Sequence, residues 1–518
     1  MTEKQLLKQS ESTFAPPETK NSERGSKVTI WVLVALFTAV MGSSVPAGYS
    51  LGVINTPQEI IRSWLRVTVH QRYGVTLTAS EEVSLWAVIV TLYVVGAIIG
   101  APAGATVADR IGRRMALLFN HLLLMATALV MALCKGAGSV EMLFIGRFTA
   151  GLCSGLSTSL VPLYLSEVAP ASWKGVMGVT FPMGMCIGVL VSQIMGMDSI
   201  LGTVDHWNYL LAAYAVFVAM ALLLHPALPE SPAYCYINAR DEVRGRRELR
   251  RLSGKDDKFI EAEETALKVM AGMKNKAQDE SSGWTFSQMI MNPKYRMSLA
   301  IAMIFNAGQQ FSGINAVFFY STLIFRSAGL DIQQSQGASI GAGVINCIMA
   351  LAAAPLIKYC RRRVLLMTSI VLCIVCQIGL MISLQLISVY HSASFVAIGA
   401  LMAYVLFYGM GLGPIPFMIA TELFPSGPRS VGISIGSTSN WLSNLIVGLT
   451  FPLLQVQFGE LSFSFFIASS ILLFIFVLRF LPETLGKDES PSPPSSFEFI
   501  IDSDSLEAPP SDVLKNMI

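Results

Sequence analysis

Seven consecutive residues, Gln309-Gln310-Phe311-Ser312-Gly313-Ile314-Asn315, place three amides and a hydroxyl inside a charge-free stretch running from 297 to 325. Amide side chains offer donors and acceptors without carrying charge, and burying them without partners costs free energy. Such a cluster suits a neutral polyol, whose every hydroxyl both donates and accepts. It also suits hydrogen bonding between helices in a membrane. Gly313 weakens a helix at this point and permits a broken segment that lines a cavity. Other uncharged polar groups stand in similar surroundings: Asn346, and Asn440 with Asn444, whose i, i+4 spacing puts both on one helix face. Trp441 and Phe417 supply aromatic surface suited to the apolar face of a polyol ring, with ordinary packing as the alternative for Trp441. The run Gly409-Met410-Gly411-Leu412-Gly413-Pro414-Ile415-Pro416 is incompatible with a regular helix and reads as a hinge.

A second set is charged and sits at the ends of apolar stretches. It comprises Asp109, Arg113, Arg114, Glu167, Lys174 and Glu230, with Glu422, Arg429 and Glu483 further on. Acids and bases at helix ends on one face can form ion pairs that latch one conformation and break in another. The same pattern also follows from membrane topology and helix dipoles. These residues belong to phrases written twice. Glu167-Val168-Ala169-Pro170 returns as Glu422-Leu423-Phe424-Pro425, Pro229-Glu230-Ser231-Pro232 as Pro482-Glu483-Thr484-Leu485, and Arg113-Arg114 as Arg362-Arg363. A near-constant interval of about 250 residues signals a duplicated bundle.

The elements that must position these groups follow from composition. The 518 residues are 53% hydrophobic and 14% charged, against about 25% charged in a soluble domain, so most of the surface must face lipid. Stretches free of Asp, Glu, Lys and Arg cover 28–58, 83–108, 115–134, 148–166, 175–197 and 206–229, then 297–325, 332–357, 364–421, 430–459 and 461–478. A span takes about 20 residues, so 364–421 holds two, divided at Ser388-Val389-Tyr390-His391-Ser392. The expected fold is all-α, with twelve transmembrane helices in two six-helix bundles. The expected division is a cytoplasmic tail (1–27), a first bundle (28–232), a linker of short amphipathic cytoplasmic helices including Leu249, Leu252 and Phe259 (233–296), a second bundle (297–486) and a disordered tail (487–518). Residues 59–82 read as the one long outer loop.

Lys and Arg set the orientation. Only Arg62, Arg66, Arg72, Lys135 and Arg326 fall in outer loops, and Arg147 lies within span 4, so both termini are expected in the cytoplasm. The charged N-terminal segment is unlike a cleavable signal peptide. None of the eight cysteines lies in an outer loop, so no extracellular disulfide is expected. Cys373 and Cys376 form a CxxC inside a span without nearby His, and read as packing. There is no Asn-x-Ser/Thr sequon. The net charge of +2 argues against a nucleic-acid partner. No metal cluster, phosphate loop or nucleophilic triad stands out, so neither an enzyme nor a cofactor is expected.

The chain resembles the sugar porters of the major facilitator superfamily, and among them the animal facilitative hexose transporters, over residues 30–487. The motifs that carry the resemblance are Gly48-Tyr49 with Gly52-Val53-Ile54-Asn55, Asp109-Arg110-Ile111-Gly112-Arg113-Arg114, Gly146-Arg147-Phe148, Glu167 to Pro170, Pro229 to Pro232, Gln309 to Asn315, Gly413 to Pro416, Asn440-Trp441 with Asn444, and Pro482-Glu483-Thr484. The resemblance implies a major facilitator fold and sugar contacts at Gln309, Gln310, Asn315, Asn346, Phe417 and Asn444. It also implies an extracellular gate at Phe319 and Tyr320. Departures from the family pattern are Pro182 for a span 5 glutamine, Phe417 for Trp, Gly409 for Glu, Asn306-Ala307-Gly308 for Gln-Leu-Ser, and Phe319 for one gating tyrosine. The second charged motif is degraded, with Lys358 in place of the acid and Arg361 in place of Gly.

The implied function is a facilitative uniporter of a hexose, glucose foremost, at the plasma membrane. Fructose or a broader hexose range is the alternative within that class. Proton-coupled symporters of the family place Asp where this chain has Ser50; a non-transporting sugar sensor is the remaining reading. The expected partners are the hexose and membrane lipid. The oligomeric state is open, with a monomer sufficient for transport.

Overall fold

The computed structural model describes residues 29–170, 173, 177, 180–253, 260–261, 264–265, 267–268, 286–387, 389–390, 392–424 and 429–481. Lys174, Phe259 and Glu483 lie outside the described residues, and so do the side chains of Phe319, Tyr320, Glu422 and Arg429. Among the described residues, nine helices are long and apolar enough to cross a membrane. They correspond to the expected spans 1–4, 6, 8–10 and 12. Expected spans 5, 7 and 11 are helical but are not among the nine. Span 5 is the shorter helix Thr180–Met195. Span 7 is divided into Arg296–Phe311 and Ile314–Ser327. Span 11, Arg429–Phe458, carries a run of Ser, Thr and Asn.

The duplication seen in the sequence recurs in the local chemistry of helix starts. Thr78 begins span 2 with a capping box: its Oγ1 accepts from the Glu81 N–H, and Glu81 Oε2 accepts from the Thr78 N–H at 2.8 Å. Asp331 begins span 8 the same way with Gln334, at 2.7 and 3.3 Å. Each box satisfies two of the backbone donors that a helix start leaves unpaired. Spans 2 and 8 occupy matching positions in the two halves.

Close approach of backbones holds the first bundle together. Gly96, Gly100 and Gly104 repeat every fourth residue on span 2 and face span 4. A Cβ on Gly96 or Gly100 would come within 2.1 or 2.2 Å of a span 4 carbonyl oxygen. Small residues at this spacing substitute dispersion contact for the hydrophobic drive that lipid does not supply.

Residues 59–82, expected as a loop, are largely a helix, Gln58–Tyr73. It buries Ile61, Leu65 and Thr68 on one face and ends at Gly74 with φ 69°. Arg62 and Arg66 clamp Glu82 at 2.9 and 2.8 Å, and Trp64 meets Trp207 at 5.0 Å. The apolar face and the ion pairs outweigh its polar composition. On the opposite end of the bundle, the linker helix Glu242–Ser253 buries Leu249 and Leu252. It docks against the start of span 1, with the Arg251 guanidinium 4.2 Å over Trp31 and Thr29 Oγ1 donating to Leu252 O at 3.1 Å.

Candidate functional site

The break in span 7 fixes the site. Gly313 adopts φ 88°, and a Cβ there would strike the Phe466 ring at 2.7 Å. Only glycine takes that conformation without strain. The break frees backbone carbonyls, and neighbouring side chains take them up. Gln377 Nε2 and Tyr404 Oη both donate to Ser312 O, at 2.6 and 2.8 Å. Ser469 Oγ donates to Phe311 O at 2.5 Å, and Ser312 Oγ to Gln309 O at 2.6 Å. Non-helical backbone at membrane depth requires this kind of satisfaction.

Span 10 is interrupted in a different way. Residues Tyr408–Leu412 form a π turn, stitched by Ser369, whose Oγ donates to Phe407 O at 2.7 Å and accepts from Leu412 N at 3.0 Å. Pro416 has no N–H, so the Leu412 carbonyl loses its helical donor. Gln309 supplies one: its Nε2 reaches Leu412 O at 3.3 Å and Gly413 O at 2.6 Å.

From Gln309 the amides form a continuous chain. Asn440 Nδ2 donates to Gln309 Oε1 at 2.6 Å and to Asn306 O at 3.1 Å. Gln310 Nε2 donates to Asn440 Oδ1 at 2.8 Å, and Asn315 Nδ2 donates to Gln310 Oε1. Gln309, Gln310, Asn315 and Asn440 are thus brought together from spans 7 and 11, all buried. Each amide has two donors and an oxygen with two lone pairs, so the chain leaves capacity at Gln310 and Asn315. Among the amides of this region, the unpartnered atoms are oxygens. The oxygens of Asn306, Gln377 and Asn444 meet no donor among the described residues. Each of these residues lies within a helical turn of the amide chain or bonds directly to the span 7 break.

Asn346 stands apart from the chain, donating from Nδ2 to Cys186 Sγ at 3.2 Å across the two halves. Phe417 is half-buried one residue beyond Pro416. Trp441 is buried and meets Tyr93 edge-on, with ring centroids 6.2 Å apart. Its indole therefore covers the first half rather than standing open. Tyr93 in turn lies under Arg147, whose guanidinium carbon is 4.7 Å from the ring centroid. Arg147 donates to the carbonyls of Ser50, at 2.6 Å, and Ile89, at 3.3 Å. The buried cation of span 4 is thus held by backbone oxygen and an aromatic face.

Of the charged set, Asp109, Arg113, Arg114, Glu167 and Glu230 lie among the described residues and gather at the opposite end from the Gln58–Tyr73 helix. Arg113 makes a two-pronged pair with Glu167, at 2.8 and 2.9 Å, and a third contact with Asp109 at 3.0 Å. Glu230 acts chiefly as a helix cap. Its Oε1 accepts from the backbone N–H groups of Arg113, Arg114 and Ser231 at 3.0, 3.1 and 3.0 Å. A carboxylate there complements the span 3 dipole. Arg114 gives its guanidinium to the Pro226 carbonyl at 3.1 Å.

A model of the sugar (and other) transporter family matches residues 35–489. The chain belongs to that family. It is 36% identical over 462 residues to solute carrier family 2, facilitated glucose transporter member 3 of Ovis aries, covering 89% of this chain and 92% of the relative. It is 33% identical over 465 residues to member 5 of Equus caballus, covering 90% and 92%. Among solved structures it resembles the proton:xylose symporter XylE bound to 6-bromo-6-deoxy-D-glucose. The TM-score is 0.72 at 23% identity, with 88% of this chain and 97% of that one covered. This likeness places the chain in the major facilitator fold. The sequence pattern singles out Asn306 only as a departure from the family triplet, and does not single out Ser369, Gln377, Tyr404 or Cys186, which contact the centre. Buried Gln and Asn within spans were the available signal. Their roles depend on which carbonyls the breaks in spans 7 and 10 leave open.

Proposed function

We propose that the chain is a facilitative transporter that moves a hexose, glucose foremost, down its gradient by alternating access of two bundles, 28–232 and 297–486. The amides Gln309, Gln310, Asn315, Asn346 and Asn444 bind the sugar, with Phe417, Trp441 and Asn440 around them. The observation that carries the reading is the surplus of buried amide oxygens without donors beside the span 7 break. A ring bearing several O–H donors and no charge complements it. The names of the relatives, facilitated glucose transporters, agree in substrate class. Asp109, Arg113, Arg114, Glu167, Lys174, Glu230, Glu422, Arg429 and Glu483 latch the inner end, and Phe319 and Tyr320 close the outer one. The distribution of Lys and Arg supports cytoplasmic termini in a plasma-membrane protein.

The test is uptake of labelled glucose into proteoliposomes of the purified chain, competed with galactose, fructose and urate. Saturable uptake that equilibrates, with glucose the strongest competitor, is the expected result. Strongest competition by fructose moves the assignment within the hexoses. Absence of uptake for every sugar overturns it.

A further inference from the structure

Span 5 lacks the family's amide, because Pro182 stands in its place, yet it carries another amide on nearly the same face. Gln193 lies eleven residues on, about three helical turns. It is 3% exposed, and its Oε1 meets no donor among the described residues. The oxygen is pressed into a notch on span 8: a Cβ built on Gly343 would lie 2.4 Å from it.

The location follows from two further contacts along the same seam. Gln336 Nε2 reaches Asp198 Oδ1 at 3.4 Å, and Asn346 Nδ2 reaches Cys186 Sγ at 3.2 Å. Rising numbers on span 5 meet falling numbers on span 8, so the helices run antiparallel and Gln193 falls between these contacts. Gly343 and Asn346 are three residues apart on one helix face, a separation of about 5–6 Å. The free acceptor of Gln193 therefore lies roughly one turn outward of Asn346, within the width of a sugar ring. A buried acceptor without a donor is destabilising, and a hydroxyl arriving between the halves relieves it.

We propose that Gln193 is a substrate-binding residue of the first half, its Oε1 accepting a hydrogen bond from one hydroxyl of the sugar while Asn346 engages the ring from the second half. This rests on the transport reading above and adds to it a contact that determines specificity. Gly343 is the residue that makes room for it.

The test is a cycle between protein and ligand. Glucose and its monodeoxy analogues compete with labelled glucose for uptake into proteoliposomes of the wild type, Gln193→Met and Gly343→Ala. In the wild type, the analogue lacking the contacted hydroxyl should compete more weakly, by roughly threefold to tenfold. Gln193→Met should abolish that difference at one ring position and leave the others. Gly343→Ala, which displaces the amide, should do the same. Should Gln193→Met not reach the membrane, Gln193→Asn withdraws the acceptor by one methylene and is read in its place. An unaltered profile across all positions in Gln193→Met overturns the proposal. Gln310→Leu in the same panel separates the two readings. If it flattens one hydroxyl while Gln193→Met flattens none, the transport reading stands and this one falls. A wild type that carries no hexose defeats both.

Discussion

The two bundles concentrate their polar chemistry at different depths. The first puts charge at helix ends, where Arg113, Glu167 and Asp109 interlock and Glu230 caps a helix start. The second puts neutral amides mid-span, where Gln309, Gln310, Asn315 and Asn440 run in one chain. Its own copy of the charged motif has lost the acid, to Lys358, and the glycine, to Arg361. The difference has a physical basis. A charged network is tolerable near helix ends, where backbone N–H groups and dipoles assist it. At mid-depth, an unpaired charge would be costly and would bind a neutral ligand poorly, whereas amides satisfy one another and still leave acceptors. A duplicated bundle can thus divide its polar chemistry, with ion pairs at the helix ends of one copy and an amide chain at mid-span in the other.

Four experiments break or sharpen this contrast, in descending order of expected effect. Asn440→Leu removes the centre of the amide chain and orphans two groups at once, Gln309 Oε1 and Gln310 Nε2. With about 1–3 kcal/mol at stake for each group left unpaired, uptake should fall more than tenfold and the purified protein should melt at a lower temperature. Wild-type uptake and melting would mean that the chain is incidental.

Gln310→Leu leaves most of the chain intact. It should weaken sugar binding roughly threefold to tenfold, at about 0.5–1.5 kcal/mol per hydrogen bond, as Asn315→Ala should too. Competition binding measures it, and an unchanged affinity in both variants would detach the amides from the substrate.

The third experiment pairs Glu167→Gln with Glu422→Gln. The first weakens a charge-assisted, two-pronged contact to Arg113 and should shift the balance between outward and inward forms about fivefold, seen in ligands that bind from one side only. Because the second charged motif is degraded, Glu422→Gln should shift it less. Neither should alter preference among hexoses; a change in that preference would place the latch in the site.

The smallest expected effect is none. In proteoliposomes an imposed inward proton gradient should not raise internal sugar above external sugar. The hydroxyl at Ser50 does not titrate near neutral pH, and the neighbouring cation, Arg147, donates to the carbonyls of Ser50 and Ile89 and lies over the Tyr93 face. Accumulation abolished by a protonophore would require an acid elsewhere in the path.

Much of this was determined by sequence alone. Charge-free stretches mark the spans because lipid excludes charge, and the duplicated phrases mark the halves because a repeat retains its helix ends. Gln309 to Asn315 announces a polar helix that can break, because glycine weakens a helix and amides at that depth need partners. The helix Gln58–Tyr73 escaped the reading, since its stability comes from the buried face of Ile61 and Leu65 and from Glu82, contacts that composition does not encode. Tertiary structure alone decided the partners. Gln309 turns to Leu412 because Pro416 withholds an N–H a hundred residues away in sequence, and Gln377 serves a carbonyl that Gly313 sets free. It also decided that Glu230 caps a helix start. Local pattern dictates which groups must be satisfied; only the packed fold dictates which distant group is near enough to satisfy them, because a hydrogen bond is made or lost within about half an ångström.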